Sequence, residues 1–195
     1  MRTLPLRFLL TLFVALLASA AAQARTVHIV AFGDSATEGW LVARDEAYPA
    51  QLQTLLRKKG YDVSVTNEGI SGDTTAGALK RFDAAITPGT DIVVVEFGVN
   101  DLRQHVSPQR MRANLNEIVK ALRKRGIDVL LIGLGSLDLS AVARANGVPY
   151  AQWKLPPGKY RARDHAHFNA EGYGILLAQT LPQIEELLQR AIRKQ

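Results

Sequence analysis

Four polar clusters of the 195-residue chain hold the residue types of acyl-transfer chemistry. A serine hydroxyl attacks a carbonyl carbon effectively when a base takes its proton. A histidine held by a carboxylate is the usual base, because the carboxylate fixes its tautomer and stabilises the imidazolium. The four clusters are Gly33-Asp34-Ser35, residues 67–74, Gly98-Val99-Asn100-Asp101 and Asp164-His165-Ala166-His167. We interpret them as parts of one site that transfers acyl groups.

Ser35 is the candidate nucleophile, because it lies in a tight turn between an apolar stretch and a predicted helix. His167 is the candidate base and Asp164 its orienting carboxylate, since three residues of spacing bring both side chains to one side of a turn. His165 is adjacent to Asp164 and should point elsewhere. Two other interpretations stay open: Asp164 caps a helix beside an exposed histidine, or the pair forms half of a metal site.

The tetrahedral intermediate of such a reaction needs hydrogen-bond donors aimed at its oxyanion. The candidates are the backbone N–H groups of Ser35 and Gly72 and the side-chain amide of Asn100. A glycine at position 72 lets the backbone come close to a substrate, because no Cβ intervenes. Each cluster taken alone is more typical of a turn than of a site. The hypothesis therefore depends on their joint order, spacing and position after strands.

Alternation of short apolar stretches with longer helical patterns predicts the elements that position these residues. The predicted strands are Val27–Phe32, Asp62–Thr66, Ile92–Phe97, Val129–Leu134 and Val148–Trp153. The predicted helices are Tyr48–Lys59, Thr75–Ala85, Pro108–Arg125, Leu137–Asn146 and Ala170–Arg193. This alternation indicates an α/β fold with a parallel sheet covered by helices on both faces. In such sheets ligands bind beyond the carboxyl ends of the strands, where the first three clusters would meet.

The N-terminal residues have the pattern of a secretory signal peptide. Arg2 and Arg7 precede the apolar stretch 8–17, and small residues follow up to the Ala22-Gln23-Ala24 cleavage pattern. We expect removal of residues 1–24, a single domain from 25 to 195, and export, most simply to the periplasm. An uncleaved anchor is the alternative, although a membrane span needs about 20 apolar residues. Stable membrane insertion of the mature chain is not expected.

Composition excludes several classes of function. The chain has no cysteine, so a disulfide framework, a thiol nucleophile and a thiolate metal site are excluded. Its formal net charge is +6, but many cations stand where helices should end, as at Arg57-Lys58-Lys59 and Arg123-Lys124-Arg125. No basic stripe interleaved with aromatic residues is present. Nucleic acid is therefore not an expected partner.

The clusters Gly33-Asp34-Ser35, Gly72, Gly98-x-Asn100-Asp101 and Asp164-x-x-His167 resemble, in order, the four main blocks of the SGNH (GDSL-type) serine hydrolases. The likeness is greatest to the bacterial periplasmic thioesterase, lysophospholipase and arylesterase branch. It implies a three-layer α/β/α, flavodoxin-like sandwich with five parallel strands in the order 2-1-3-4-5. It also implies a serine esterase acting on small-molecule or lipid esters, with Ser35, Asp164 and His167 catalytic. Ser35, Gly72 and Asn100 would form the oxyanion hole, and no metal or organic cofactor would be needed.

Two departures from that branch bear on the substrate. A substantial segment usually follows the fourth strand, whereas here residues 133–135 run almost directly into the next predicted helix, which predicts a more open acyl pocket. The usual Asp-Gly-x-His-Pro is replaced by Asp164-His165-Ala166-His167-Phe168. A carbohydrate O-deacetylase using the same residues and a non-catalytic envelope binding module are the alternative functions.

Apolar residues near the strand ends are candidates for substrate contact. Trp40 and Leu41, just after the nucleophile turn, and Leu102 are the substrate-binding candidates, whereas Phe97 and Trp153 fit core packing at least as well. The basic loop at residues 154–163 has two interpretations. It attracts phosphate-bearing or CoA-type esters by its charge, or it is an ordinary solvated loop.

Overall fold

A computed structural model describes residues 25–154 and 158–194 and contains a five-stranded parallel sheet. Its strands are β1 (Val27–Gly33), β2 (Val63–Gly69), β3 (Ile92–Glu96), β4 (Asp128–Leu134) and β5 (Tyr150–Trp153). Their order across the sheet is β2-β1-β3-β4-β5. The predicted α/β class and strand order are confirmed.

Helices connect the strands and cover both faces of the sheet. The four before β3 are α1 (Ser35–Glu38), α2 (Tyr48–Lys58), α3 (Thr75–Lys80) and α4 (Phe82–Ala85). The four after it are α5 (Val99–Arg103), α6 (Pro108–Lys124), α7 (Ser140–Asn146) and α8 (Ala170–Arg193). The longest two are capped by side chains: Ser107 and Asn169 accept hydrogen bonds from backbone N–H groups in the first turns of α6 and α8.

Alternate residues of the central strands pack into two separate cores. In β3, Ile92 and Val94 face the core beneath α2 and α8, while Val93 and Val95 face the core beneath α4 and α6. All four are fully buried. This arrangement explains why β3 is continuously apolar rather than alternating, because both of its faces are covered.

Several predicted boundaries are wrong. The strand predicted to end at Thr66 continues to Gly69, so Asn67 and Glu68 pair with β1 instead of following the strand. The helix predicted from Leu137 begins at Ser140, since the Asp138 side chain accepts the Ser140 N–H and holds the preceding residues in a turn.

Arg81 divides the helix that was predicted to run from 75 to 85. Its backbone leaves helical geometry (φ −101°, ψ 7°) and separates α3 from α4. Its guanidinium donates to the Asp73 carboxylate at 2.8 Å and to the carbonyls of Gly33 and Glu68 at 3.1 and 2.9 Å. It also lies 4.5 Å above the Phe32 ring. Arg81 thus ties the ends of β1 and β2 to the loop that holds Gly72.

The predicted signal peptide lies outside the described residues. Within residues 25–154 and 158–194, no helix is both long enough and apolar enough to span a membrane.

Candidate active site

Ser35 is the first residue of α1, directly after β1. The Asp34 side chain caps this four-residue helix by accepting the Ala36 N–H at 2.9 Å. A Cβ at Gly33 would lie 1.9 Å from the Thr37 hydroxyl, so only glycine allows the chain to turn this tightly. The turn leaves Ser35 8% exposed at the carboxyl end of the sheet.

The structure brings the side chains of His167 and Asp164 to Ser35. His167 Nε2 lies 2.9 Å from Ser35 Oγ, and His167 Nδ1 lies 2.5 Å from Asp164 Oδ2. The other oxygen of Asp164 accepts the backbone N–H groups of Ala166 and His167 at 3.1 and 3.0 Å. This chain of contacts can pass the hydroxyl proton to the imidazole and hold the imidazolium that results.

The hydrogen bonds to Asp164 set its charge state. Its pKa lies well below the ordinary value, first because the His167 side chain bonds to the carboxylate, and then because the two backbone N–H groups do so. Asp164 is therefore ionised throughout the pH range in which imidazoles titrate. An ionised Asp164 keeps the Nδ1 proton of His167 and leaves Nε2 free to accept from Ser35.

The loop that carries His167 is braced by the basic segment before it. Arg161 donates to the Ala166 carbonyl at 2.7 Å, and its guanidinium lies 4.9 Å from the Phe168 ring centroid. Arg161 and Phe168 also form an isolated antiparallel bridge. Lys159, by contrast, pairs with Glu171 at the surface. Arg161 thus positions the histidine loop, a role the sequence interpretation of this segment did not foresee.

The other two oxyanion candidates are Gly72, in the loop after β2, and Asn100, on α5. Gly72 has φ +80°, a conformation that favours glycine, and a Cβ there would meet no atom within 4 Å. The amide nitrogen of Asn100 lies 3.1 Å from Asp34 Oδ2 and 3.0 Å from the Asp73 carbonyl oxygen. Because an amide has only two N–H groups, donation from Asn100 to a substrate oxygen requires one of these bonds to open.

Asp101 supports the Gly72 loop and the helix of Asn100, and does not face the site itself. Its fully buried carboxylate accepts the N–H and the hydroxyl of Thr75, and Asn114 donates to the same hydroxyl at 2.9 Å. These bonds join the start of α3 to α5 and α6. They fix the distance between the loop of Gly72 and the helix of Asn100.

Asp34 and Glu96 form an acidic pair beneath the nucleophile. Both side chains are nearly inaccessible, at 2% and 1% exposure. Burial raises the pKa of both groups, and that of Glu96 lies well above its ordinary value because the Asp34 charge adds to the effect. Sequence reasoning missed Glu96. Its signal was a carboxylic acid at the end of an otherwise apolar, doubly covered strand.

The cavity beside Ser35 is small. It has a volume of about 40 Å³, and its lining includes Val99, Arg103, Leu134 and Phe168. The predicted contact residues lie elsewhere. Trp40 and Leu41 line a separate cleft of about 630 Å³ along the β2 edge, and Leu102 is an exposed residue of α5.

Phe97 and Trp153 are buried in the core, in agreement with the packing alternative. Among the described residues, no three His, Cys, Asp or Glu side chains gather in a way that would hold a metal ion.

The fold and this site define a hydrolase class, and comparison with known proteins identifies the family. Residues 31–175 match the model of the GDSL-like Lipase/Acylhydrolase family. The chain therefore belongs to this family of SGNH-type ester hydrolases, as the sequence resemblance predicted.

Two curated relatives and one solved structure show the extent of the likeness. Esterase TesA of Pseudomonas aeruginosa is 35% identical over 139 residues, which cover 68% of this chain and 69% of the relative. An arylesterase of Vibrio mimicus is 32% identical over 125 residues, covering 64% and 62%. A crystal structure of TesA superposes with a TM-score of 0.74 at 26% identity, covering 82% of this chain and 99% of the other.

Replacement Asp164→Asn tests the orienting role of this carboxylate. We expect kcat to fall by about 10²–10⁴-fold with little change in KM, because an amide can donate to Nδ1 and leave the proton on Nε2. Steady-state hydrolysis of a p-nitrophenyl ester measures the effect. The matched control is Asp83→Asn, on α4, where Asp83 forms a surface ion pair with Arg125. An Asp164→Asn enzyme with unchanged kcat would contradict the assignment.

Proposed function

We propose that this chain hydrolyses carboxylic ester or thioester bonds through an acyl-serine intermediate. One observation carries the proposal: His167 Nε2 lies 2.9 Å from Ser35 Oγ while its Nδ1 is held by an ionised carboxylate. The names of the relatives, an esterase and an arylesterase, support the ester as the bond that is cleaved. In this proposal Ser35, His167 and Asp164 are the catalytic residues.

Acylation follows from the hydrogen bonds around Ser35. His167 takes the hydroxyl proton as Ser35 Oγ forms a bond to the carbonyl carbon, whose oxygen becomes an oxyanion. The backbone N–H groups of Ser35 and Gly72 and the released amide of Asn100 stabilise this charge; losing one such donor typically costs about 10²–10³ in kcat. His167 then gives its proton to the leaving alcohol or thiol.

Deacylation repeats these roles with water. His167 removes a proton from the water as its oxygen attacks the acyl-serine carbon, and the same donors hold the second oxyanion. The intermediate collapses when Ser35 Oγ takes the proton back, which frees the acid. Because acylation and deacylation both require a neutral imidazole, activity should fall toward acid pH.

The dimensions of the site favour a short acyl group. The cavity of about 40 Å³ beside Ser35 is far smaller than the roughly 300–1,000 Å³ of pockets that enclose drug-sized ligands. The connection from β4 to α7 spans only residues 135–139, so this chain has no long segment there to wall a groove. A longer acyl chain would therefore lie along the open surface of the protein and bury little apolar area.

Ser35→Ala tests whether the chain is an enzyme of this kind. We expect a loss of at least about 10³-fold in kcat/KM, since the described residues that line the cavity beside Ser35 include no other hydroxyl. An active-site serine phosphonate probe should label the native protein and not the variant, as followed by intact-protein mass spectrometry. Ser140→Ala, at the start of α7, is the control. Absence of labelling in native protein that is folded by circular dichroism would favour a non-catalytic binding module.

A series of p-nitrophenyl esters from acetate to octanoate tests the acyl preference. We expect kcat/KM to be highest for the acetate and butyrate esters and to decline with longer chains. Acetylated sugars and acyl thioesters measured in parallel separate an O-deacetylase from a general esterase. An increase of kcat/KM up to octanoate would contradict the short-acyl proposal.

We also propose export, with residues 25–195 as the single mature domain. The support is the pattern at residues 1–24: basic residues, an apolar stretch and Ala22-Gln23-Ala24. N-terminal sequencing of the protein recovered from a bacterial periplasmic fraction should begin at Arg25. An intact Met1 on periplasmic or membrane-bound protein would contradict cleavage.

A further inference from the structure

Glu96 is a buried acid that the mechanism above does not use. It is the last residue of β3 and lies directly below the turn that carries Ser35. The Thr37 hydroxyl donates to its Oε2 at 3.1 Å. Its Oε1 is fully buried and accepts no N–H or O–H group from residues 25–154 or 158–194. An ionised carboxylate in such a place would leave one oxygen without any compensation, which is costly.

The neighbouring Asp34 indicates how the cost of burying the Glu96 carboxyl group is avoided. Gly33 pairs with Glu96 across β1 and β3, and Asp34 is the next residue, so the two acids are neighbours. The Asp34 charge is accordingly one cause of the raised pKa of Glu96. Two carboxylates cannot hydrogen-bond, because each is an acceptor only, but a protonated carboxylic acid donates to a carboxylate. Like charges this close also cannot both stay ionised at low cost. One proton must therefore be shared by the pair.

The surroundings decide which residue carries the proton. Asp34 accepts two N–H groups, from Ala36 at 2.9 Å and from the Asn100 amide at 3.1 Å, and both favour a charged carboxylate. Glu96 accepts the Thr37 hydroxyl through Oε2, while its Oε1 is buried without a donor among the described residues. The neutral form is therefore the stable one for Glu96.

We propose that Glu96 is a protonated positioning residue, which donates a hydrogen bond to the Asp34 carboxylate and so holds that carboxylate against the Asn100 amide beside Ser35. The proposal rests on the proposed function for its catalytic consequence. Asp34 joins three parts of the site. It caps the nucleophile helix, orients the Asn100 amide and accepts the hydrogen bond from protonated Glu96. Without that proton the Asp34 carboxylate loses one of the contacts that fix its orientation, and the Asn100 amide loses part of its alignment.

A pair of substitutions at Glu96 tests this role by steady-state kinetics. Glu96→Gln keeps a donor of the same shape, so kcat should stay close to the native value. Glu96→Leu removes the donor and should lower kcat by about 10- to 100-fold with little change in KM, somewhat less than the full loss of an oxyanion donor. Glu117→Gln, at an exposed position of α6, is the control for replacing an acid with an amide.

A second measurement reports the proton itself and needs no turnover. Difference infrared spectroscopy of the native protein near neutral pH should show the C=O stretching band of a protonated carboxylic acid. The band should disappear in Glu96→Gln and persist in Glu117→Gln. This readout keeps the proposal testable if Glu96→Leu fails to fold, which circular dichroism would show.

Three outcomes would overturn the proposal. They are a loss of kcat in Glu96→Gln as large as that in folded Glu96→Leu, full activity in Glu96→Leu, and no carboxylic acid band that depends on Glu96. Failure of the proposed function has a different signature: Ser35→Ala would retain native activity, or the phosphonate probe would fail to label Ser35, while the infrared result could still be obtained.

Discussion

The hydrogen bond between Ser35 and His167 is the contact on which the rest of the molecule depends. It joins residues 132 positions apart, one on the turn after the first strand and the other on the loop before the last helix. Proton transfer needs both heavy atoms at hydrogen-bond distance, so lengthening this contact by a fraction of an ångström would impair it. The doubly covered sheet and the braced histidine loop can be understood as the means of keeping that distance fixed.

A second layer of buried polar contacts lies below that hydrogen bond. Arg81 donates to backbone carbonyls at the ends of β1 and β2. Asp101 joins three helices through Thr75, and the Asp34–Glu96 pair supports the nucleophile turn. Buried polar groups specify one arrangement only when their hydrogen bonds are satisfied. The bonds that these groups do make restrict the positions of the Ser35 turn and of the Gly72 loop.

Sequence patterns were sufficient for features that depend on local periodicity or on strand topology. Continuous apolar stretches indicated the central strands, and the convergence of their carboxyl ends placed Ser35, Gly72 and Asn100 at one edge. Patterns failed where a long-range contact overrides local preference. Arg81 interrupts a helical sequence because its guanidinium bonds outside the helix, and the burial of Glu96 depends on neighbours far along the chain. Trp40 and Leu41 line a separate cleft, and their contact with a substrate stays a prediction.

The brief connection between β4 and α7 has a consequence for the kind of molecule that can be processed. A site with a lid or a deep wall admits only what fits inside it. Here the cavity beside Ser35 holds only about 40 Å³, and the short β4–α7 connection adds no tall wall to it. In the proposed reaction, such a site would select for a small acyl group and place no tall wall in the way of an ester carried on a bulky scaffold.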